Sequence, residues 1–223
     1  MKNEPRDEEL EARLARYDQW MVEGRIPTSS KVIPIKESLC GLQWVLPTQQ
    51  MLEILRNARS YALANCLCRT THKRCDNPLE VCFYINDVAD QKVEQGAARH
   101  VSLEEATERL RLANQHGLVH LTIYNPEQHV FAVCSCCECC CHDIQFLKKY
   151  GRPDLIAHAD YVAEVDTESC TQCGTCVERC VFGARRHEDG SVVFEKDKCY
   201  GCGLCVTTCP SGATRMQLRK RQQ

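Results

Sequence analysis

The chain has 223 residues, 26% of them charged and 43% hydrophobic, with a formal net charge of -2. That is enough for one large or two small globular units, too hydrophobic for a disordered chain and too evenly charged for a polyanion-binding surface, so no nucleic-acid partner is expected. No apolar run approaches the roughly 20 residues that span a bilayer, and Met1-Lys2-Asn3-Glu4-Pro5 lacks the apolar stretch of a signal peptide, so the expectation is no membrane insertion and a cytoplasmic location.

Nineteen cysteines demand an explanation. In a reducing compartment they are poor disulfide candidates, and an odd count argues against a closed disulfide framework. Metal ligation or redox chemistry is the better reading. The cysteines fall into two upstream groups, two C-terminal runs and an isolated Cys40, which sits beside Leu39, Gly41 and Leu42 and reads as a small buried hydrophobe.

In chain order, Leu10, Leu14, Tyr17 and Met21 form one stripe of an amphipathic helix over residues 7–23. Gly24, Pro27 and Pro34 then break the chain. Pro47-Thr48 opens a second helical pattern, with Met51, Leu52, Leu55, Ala58 and Ala62 on one side. It leads into the first upstream group, Cys66, Cys68, Cys75 and Cys82, where Pro78 implies loop and the pattern from Leu79 to Gly96 predicts mainly helix, with Cys82 near its start. Ser102-Leu103-Glu104-Glu105 is a capping box, and Gly117 a left-handed terminator for the helix that follows. Leu118 to Tyr124 and Gln128 to Val133 read as a hairpin about Asn125-Pro126. It runs straight into the second group, Cys134, Cys136, Cys137, Cys139, Cys140 and Cys141, followed by His142 and a short helix from Asp143 to Tyr150.

Beyond a boundary near residue 160 come Cys170, Cys173, Cys176 and Cys180, a short β-rich segment from Ser191 to Glu195, and Cys199, Cys202, Cys205 and Cys209. Each run reads C-x2-C-x2-C-x3-C, in which thiolates two residues apart on a tight glycine-containing loop can face one cubane while the fourth points away. Zinc sites use C-x2-C pairs too, but without a third cysteine at the same interval. Residues from about 160 to 215 resemble a two-cluster bacterial ferredoxin domain. In that family the fourth cysteine of each run ligates the other cluster, which implies two [4Fe–4S] clusters, one on Cys170, Cys173, Cys176 and Cys209 and the other on Cys199, Cys202, Cys205 and Cys180. Val181 stands where the family pattern has proline, whereas Pro210 keeps it. The tail Arg215, Arg219, Lys220 and Arg221 reads as a solvated charge run.

The ten upstream cysteines exceed what a structural role explains. The simplest division takes Cys66, Cys68, Cys75 and Cys82 as one ligand set and draws a second from Cys134 to Cys141. Adjacent cysteines cannot all face one cubane, so one or two further iron–sulfur clusters, with non-cubane geometry allowed, are the expectation. Binding of soft metals such as zinc or copper(I), and redox-active thiols, are the competing readings. His72 and His142 are candidate ligands or proton donors, and Arg69 and Arg74 could offset an anionic cluster. His100, His116, His120 and His129 read as satisfied surface or turn residues. This half resembles the N-terminal domain of an uncharacterised family of ferredoxin-containing proteins of anaerobes, on Cys66, Cys68, Arg69, Cys75, Pro78, Cys82 and Cys134 to Cys141. The resemblance implies redox chemistry and no particular reaction.

The expected fold is α+β, with a mostly helical cysteine-rich unit carrying a small β-hairpin over residues 1–159 and a ferredoxin-like unit over 160–223. The expected function is electron transfer, relaying single electrons between a redox protein or oxidoreductase subunit and the N-terminal site. A reductase with the N-terminal thiolate site as its active centre, and a metal or redox sensor, are the alternatives. No glycine-rich phosphate loop supports a nucleotide or flavin.

Overall fold

The structure, a computed structural model, describes residues 7–25, 30–33, 54–124 and 130–219. Cys40, the turn at Asn125-Pro126, the start of the helical pattern at Pro47, His129, and Lys220 and Arg221 lie outside them. The α+β class holds, but the N-terminal half is organised by a seven-stranded sheet rather than by helices with a small hairpin. Among the described residues no helix is long and apolar enough to cross a membrane.

Helix α1 (Glu8–Val22) is the expected amphipathic helix, capped by the Asp7 side chain on Leu10 N–H and burying Leu10 and Tyr17. The strands β1 (Ser30–Ile33), β2 (Tyr61–Asn65), β3 (Glu80–Ile85), β4 (Ala98–His100), β5 (Val119–Tyr124), β6 (Val130–Cys136) and β7 (Ile156–Ala157) line up in the order β4-β2-β3-β6-β5-β1-β7. All neighbours are antiparallel except β1 and β7. Short helix α2 (Leu67–His72) follows β2, α3 (Asn86–Glu94) follows β3, α4 (Leu103–Gln115) precedes β5, and α5 (His142–Tyr150) follows β6.

Two stretches expected to be helical are strand. Ala62 belongs to β2 and Cys82 to the middle of β3. The cause is burial on both sheet faces. In β3, Val81, Phe83 and Ile85 fill one side while Cys82 is equally buried on the other, so polar–apolar alternation never appears. The capping box is half formed. Ser102 Oγ accepts from Glu105 N–H at 3.1 Å, while the Glu105 carboxylate turns to Arg99 Nη1 at 3.1 Å instead of returning to the cap.

One sheet face packs Leu63, Phe83, Ile85 and Val133 against Leu55 and against Ala106 and Leu110 of α4. The other carries Val119, Leu121 and Cys136, covered by Cys141 and Ile144 and by Tyr200, Cys202 and Leu204 from the C-terminal half.

That half is closed by β8 (Tyr161–Val165) pairing antiparallel with β11 (Thr214–Leu218), with a hairpin of β9 (Arg185–Glu188) and β10 (Ser191–Phe194) between them. Two one-turn helices, α6 (Thr175–Glu178) and α7 (Leu204–Thr207), each follow a left-handed glycine, Gly174 and Gly203, at the same point of each cysteine run. The two halves are joined by more than the chain. Tyr200 stacks between His158 (4.1 Å) and Phe182 (4.5 Å), and Arg179 donates to the carbonyls of Asn114 and Gln115 at the end of α4.

Candidate metal centres

In the C-terminal half the tight glycine turns aim the sulfurs inward. Cys170, Cys173, Cys176 and Cys209 line one cavity, and Cys180, Cys199, Cys202 and Cys205 line a second. Arg185 lines both. Its guanidinium is buried, stacked over Phe194 at 4.7 Å, and donates from Nη1 to Cys176 Sγ at 3.6 Å. Residues 169–214 match the family of 4Fe–4S dicluster domains.

The chain thus carries a C-terminal ferredoxin-like domain suited to 4Fe–4S binding. No curated protein matches the chain. The donor chemistry of the dicluster domain fits anionic clusters. Each set offers four thiols, and Nη2 of Arg185 is a buried donor without a protein acceptor beside both sets. The sets differ in exposure. Cys173 is exposed and the rest of its set half-buried, whereas Cys199, Cys202 and Cys205 are buried. Burial pushes the Cys202 thiol up, and pushes Cys205 up to about 12 against the pull of Arg185. Thr175 holds the Cys173 thiol below its ordinary value through hydrogen bonds.

Arg185 was not singled out by sequence, because nothing in its spacing marks a basic residue that will fold between two sulfur sets. A cation there favours the more negative, reduced cluster. Arg185→Met is therefore expected to lower the dicluster reduction potentials by on the order of 50 mV, read by an EPR-monitored redox titration. Unchanged potentials would show that solvent already screens this charge.

Upstream, the ten cysteines sort into two groups that cross the division expected from sequence. On β6, Cys134 and Cys136 flank Ser135, so strand alternation sends both sulfurs to one sheet face. Cys82 on β3 faces the same way, and Cys66 and Cys68 stand at the start of α2. Their sulfurs act on one another in turn, Cys68 on Cys66, Cys66 on Cys82, Cys82 on Cys134, Cys134 on Cys136, and Cys136 on Cys141. Neighbouring sulfurs pull the Cys66 and Cys134 thiols down and push those of Cys68, Cys82 and Cys136 up. These six cysteines, with Cys137 at their edge, line a cavity of about 700 Å³ flanked on one side by α1. His142 joins them, with Nδ1 3.3 Å from Cys68 Sγ and Nε2 3.2 Å from the Tyr17 hydroxyl. Tyr17, which from sequence is only a packing residue, is thereby a member of the cavity wall. Burial raises its hydroxyl pKa.

Cys75 lies apart from Cys66, Cys68 and Cys82. Its sulfur sits 3.7 Å from that of Cys137 and 3.9 Å from that of Cys140, with Cys139 alongside. The second cysteine run therefore splits at 136/137 and at 140/141, sending Cys134, Cys136 and Cys141 one way and Cys137, Cys139 and Cys140 the other.

Arg69 stands between the groups. It is fully buried and donates to the carbonyls of Pro78 and Ser135. Burial alone would lower its pKa, but the sulfurs of Cys66, Cys137, Cys82 and Cys136 hold it up. Its Nε is a further buried donor without a protein partner. Arg74 bonds instead to the Cys139 carbonyl (3.3 Å), Gln145 Oε1 (2.9 Å) and Asp7 (2.9 Å). His120 differs from expectation. It is completely buried on β5, its Nδ1 is 2.8 Å from Ser135 Oγ, its Nε2 has no partner, and burial pushes its pKa down to about 3. Its polar name hid an interior strand position.

Proposed function

We propose that this chain is an iron–sulfur electron-transfer protein that relays single electrons between an external redox partner and its own N-terminal cysteine site. A dicluster unit over 160–223 would serve a cysteine-rich unit over 1–159. Cys170, Cys173, Cys176 and Cys209 would hold one [4Fe–4S] cluster and Cys180, Cys199, Cys202 and Cys205 the other. Clusters bound there supply one-electron exchange over a range tuned by hydrogen bonds and solvent exposure.

The observation that carries the reading is one shared core. Cys202 of the buried set packs in the same hydrophobic cluster as Cys136 and Cys141 of the six-cysteine group. The exposed set, with Cys173 at the surface, is the side a partner can approach. Tyr200, Leu204 and Phe182 exclude water between the buried set and the upstream sulfurs. Cys66, Cys68, Cys82, Cys134, Cys136 and Cys141 would hold a further iron–sulfur cluster, since six thiolates exceed the four that a cubane takes. Arg69 balances its charge and His142 hydrogen bonds to the edge of the sulfur set at Cys68.

The large cavity favours a second reading. It is bounded by the six cysteines and by His142, Tyr17, Arg13 and Arg16, which is room and chemistry for a small substrate. In that case the same sulfur site is the active centre of a reductase and the dicluster domain its electron supply.

The test compares anaerobic iron and acid-labile sulfide content in the full chain and in Cys136→Ser. Two cubanes account for roughly eight of each per chain. The wild type is expected to exceed that, and the variant to fall back to it with its dicluster EPR signals intact. Equal content in the two chains would sink the proposed upstream cluster. A change in the upstream EPR signal on adding small anions or thiols would favour the reductase.

A further inference from the structure

The four sulfurs of Cys75, Cys137, Cys139 and Cys140 all lie within 4.8 Å of one another. Among the described residues no other group of three or more cysteine, histidine or carboxylate ligand atoms is this compact, and that includes both sulfur sets of the dicluster domain. The contrast is a matter of size. A metal ion with bonds of about 2.3 Å to four thiolates sets a tetrahedron with edges of about 3.8 Å. The distances from Cys75 Sγ, 3.7 Å to Cys137 and 3.9 Å to Cys140, fall on that edge. A cubane interposes iron and sulfide between its ligands, so its cysteine sulfurs stand farther apart, as the dicluster sets do.

From this geometry we infer that Cys75, Cys137, Cys139 and Cys140 hold a single zinc ion without inorganic sulfide, a closed tetrathiolate site separate from the iron–sulfur centres. Four thiolates satisfy the coordination of a d¹⁰ ion with no open position, the mark of a structural site. What surrounds the sulfurs supports that role. Asn77 Nδ2 donates to Cys75 Sγ at 3.3 Å, and Gln145 Nε2 and Arg74 Nη1 both hold the Cys139 carbonyl, at 2.7 and 3.3 Å. Val81, Ala113 and Leu118 seal the inner side against Cys137 and Cys140.

The ion would add a covalent-strength tie between two segments already joined by Arg74, which donates to the Cys139 carbonyl at 3.3 Å. Residues 73–78 contain no regular structure, and Cys75 brings their sulfur to the turn at 138–140. Closing that loop places the ion between Pro78 on one side and the start of α5 on the other, while Arg69 keeps its own hold on the Pro78 and Ser135 carbonyls. Zinc does not change valence, so this site steadies the electron route without joining it.

The experiment uses full-length protein purified anaerobically. Zinc, iron and acid-labile sulfide are measured in the wild type and in Cys139→Ser, one of the two half-buried ligands. About one zinc per chain is expected in the wild type. Cys139→Ser is expected to lose it while retaining wild-type iron and sulfide. Loss of iron and sulfide from Cys139→Ser, or a wild type without zinc, would overturn the inference. Should the variant not fold, cobalt substitution of the wild type decides. One cobalt per chain with tetrahedral d–d bands and strong thiolate charge transfer supports a single-ion site, and their absence refutes it. Zinc per chain in the wild type and its loss in Cys139→Ser are read separately from the iron lost in Cys136→Ser, so either reading can fail without the other.

Discussion

On the proposed ligand sets, Gly201→Ala is expected to strip the dicluster domain of the cluster assigned to Cys180, Cys199, Cys202 and Cys205, leaving about half of the dicluster iron. Gly201 lies at φ +78°, inside the Cys199–Cys202 turn. A Cβ there would run into the Tyr161 carbonyl and stand 2.9 Å from the Ala159 Cβ. Neither neighbour can yield easily. Tyr161 is the first residue of β8, held by its pairing with Leu218, and Ala159 N–H donates to the Tyr200 carbonyl at 2.9 Å. The left-handed backbone alone costs alanine roughly 1–2 kcal/mol, and the backbone collision raises the total to about 3 kcal/mol or more. Gly212→Ala is the control. It shares the left-handed backbone (φ +66°) but has no atom within 4 Å of the new methyl, so it should lose only the roughly 1–2 kcal/mol of that backbone and keep its iron. Iron per chain and anaerobic denaturant unfolding read both. A Gly201→Ala protein with full iron would mean that the turn is held less tightly than its contacts imply.

Arg69→Met should have the largest effect upstream. The substitution keeps most of the side-chain volume and removes a fully buried cation that joins α2 to the Pro78 and Ser135 carbonyls. The buried Ser135 carbonyl and the half-buried Pro78 carbonyl lose their donor, and the sulfurs of Cys66, Cys82, Cys136 and Cys137 lose the charge that balances them. Breaking one side of such a buried arrangement costs about 3–5 kcal/mol. With the proposed upstream cluster in place, the expected result is loss of its iron with the dicluster EPR signals unchanged. Arg69→Lys separates charge from geometry. It keeps the cation but not the two-armed fork that spans both carbonyls, so intermediate stability and partial upstream iron are expected. Retention of upstream iron in Arg69→Met at wild-type stability would show that Arg69 is only a packing residue.

Much of the local structure was legible in the residues. The stripe of α1, the Ser102 cap, Gly117 as terminator, β5 and its return strand, and α5 all fall where periodicity and capping place them. These elements have one buried and one exposed face, so their patterns survive in sequence. The failures share one cause. Tyr61–Asn65 and Glu80–Ile85 are interior strands packed on both faces, and such strands read as plain apolar runs. Their misreading hid two of the sheet's seven strands, and β1, β4 and β7, of two to four residues each, are too short to show a pattern, so only the β5–β6 hairpin was visible.

The cysteines show the same division. The repeated C-x2-C-x2-C-x3-C spacing is a local constraint, a tight loop that can only present its sulfurs together, so the dicluster domain was recognisable from sequence by itself. The upstream cysteines obey no such rule. Cys75 and Cys140 are 65 residues apart yet their sulfurs are 3.9 Å apart, while neighbours Cys140 and Cys141 belong to different groups. Strand alternation at Cys134 to Cys136, the turn at 138–140 and the pairing of β3 with β6 decide which sulfurs meet. The sequence by itself determined that this protein carries iron–sulfur chemistry at its C-terminus and an excess of thiols before it. Only the tertiary structure decided that those thiols form one compact set of four and one open set of six, because long-range strand pairing, and not spacing along the chain, brings them together.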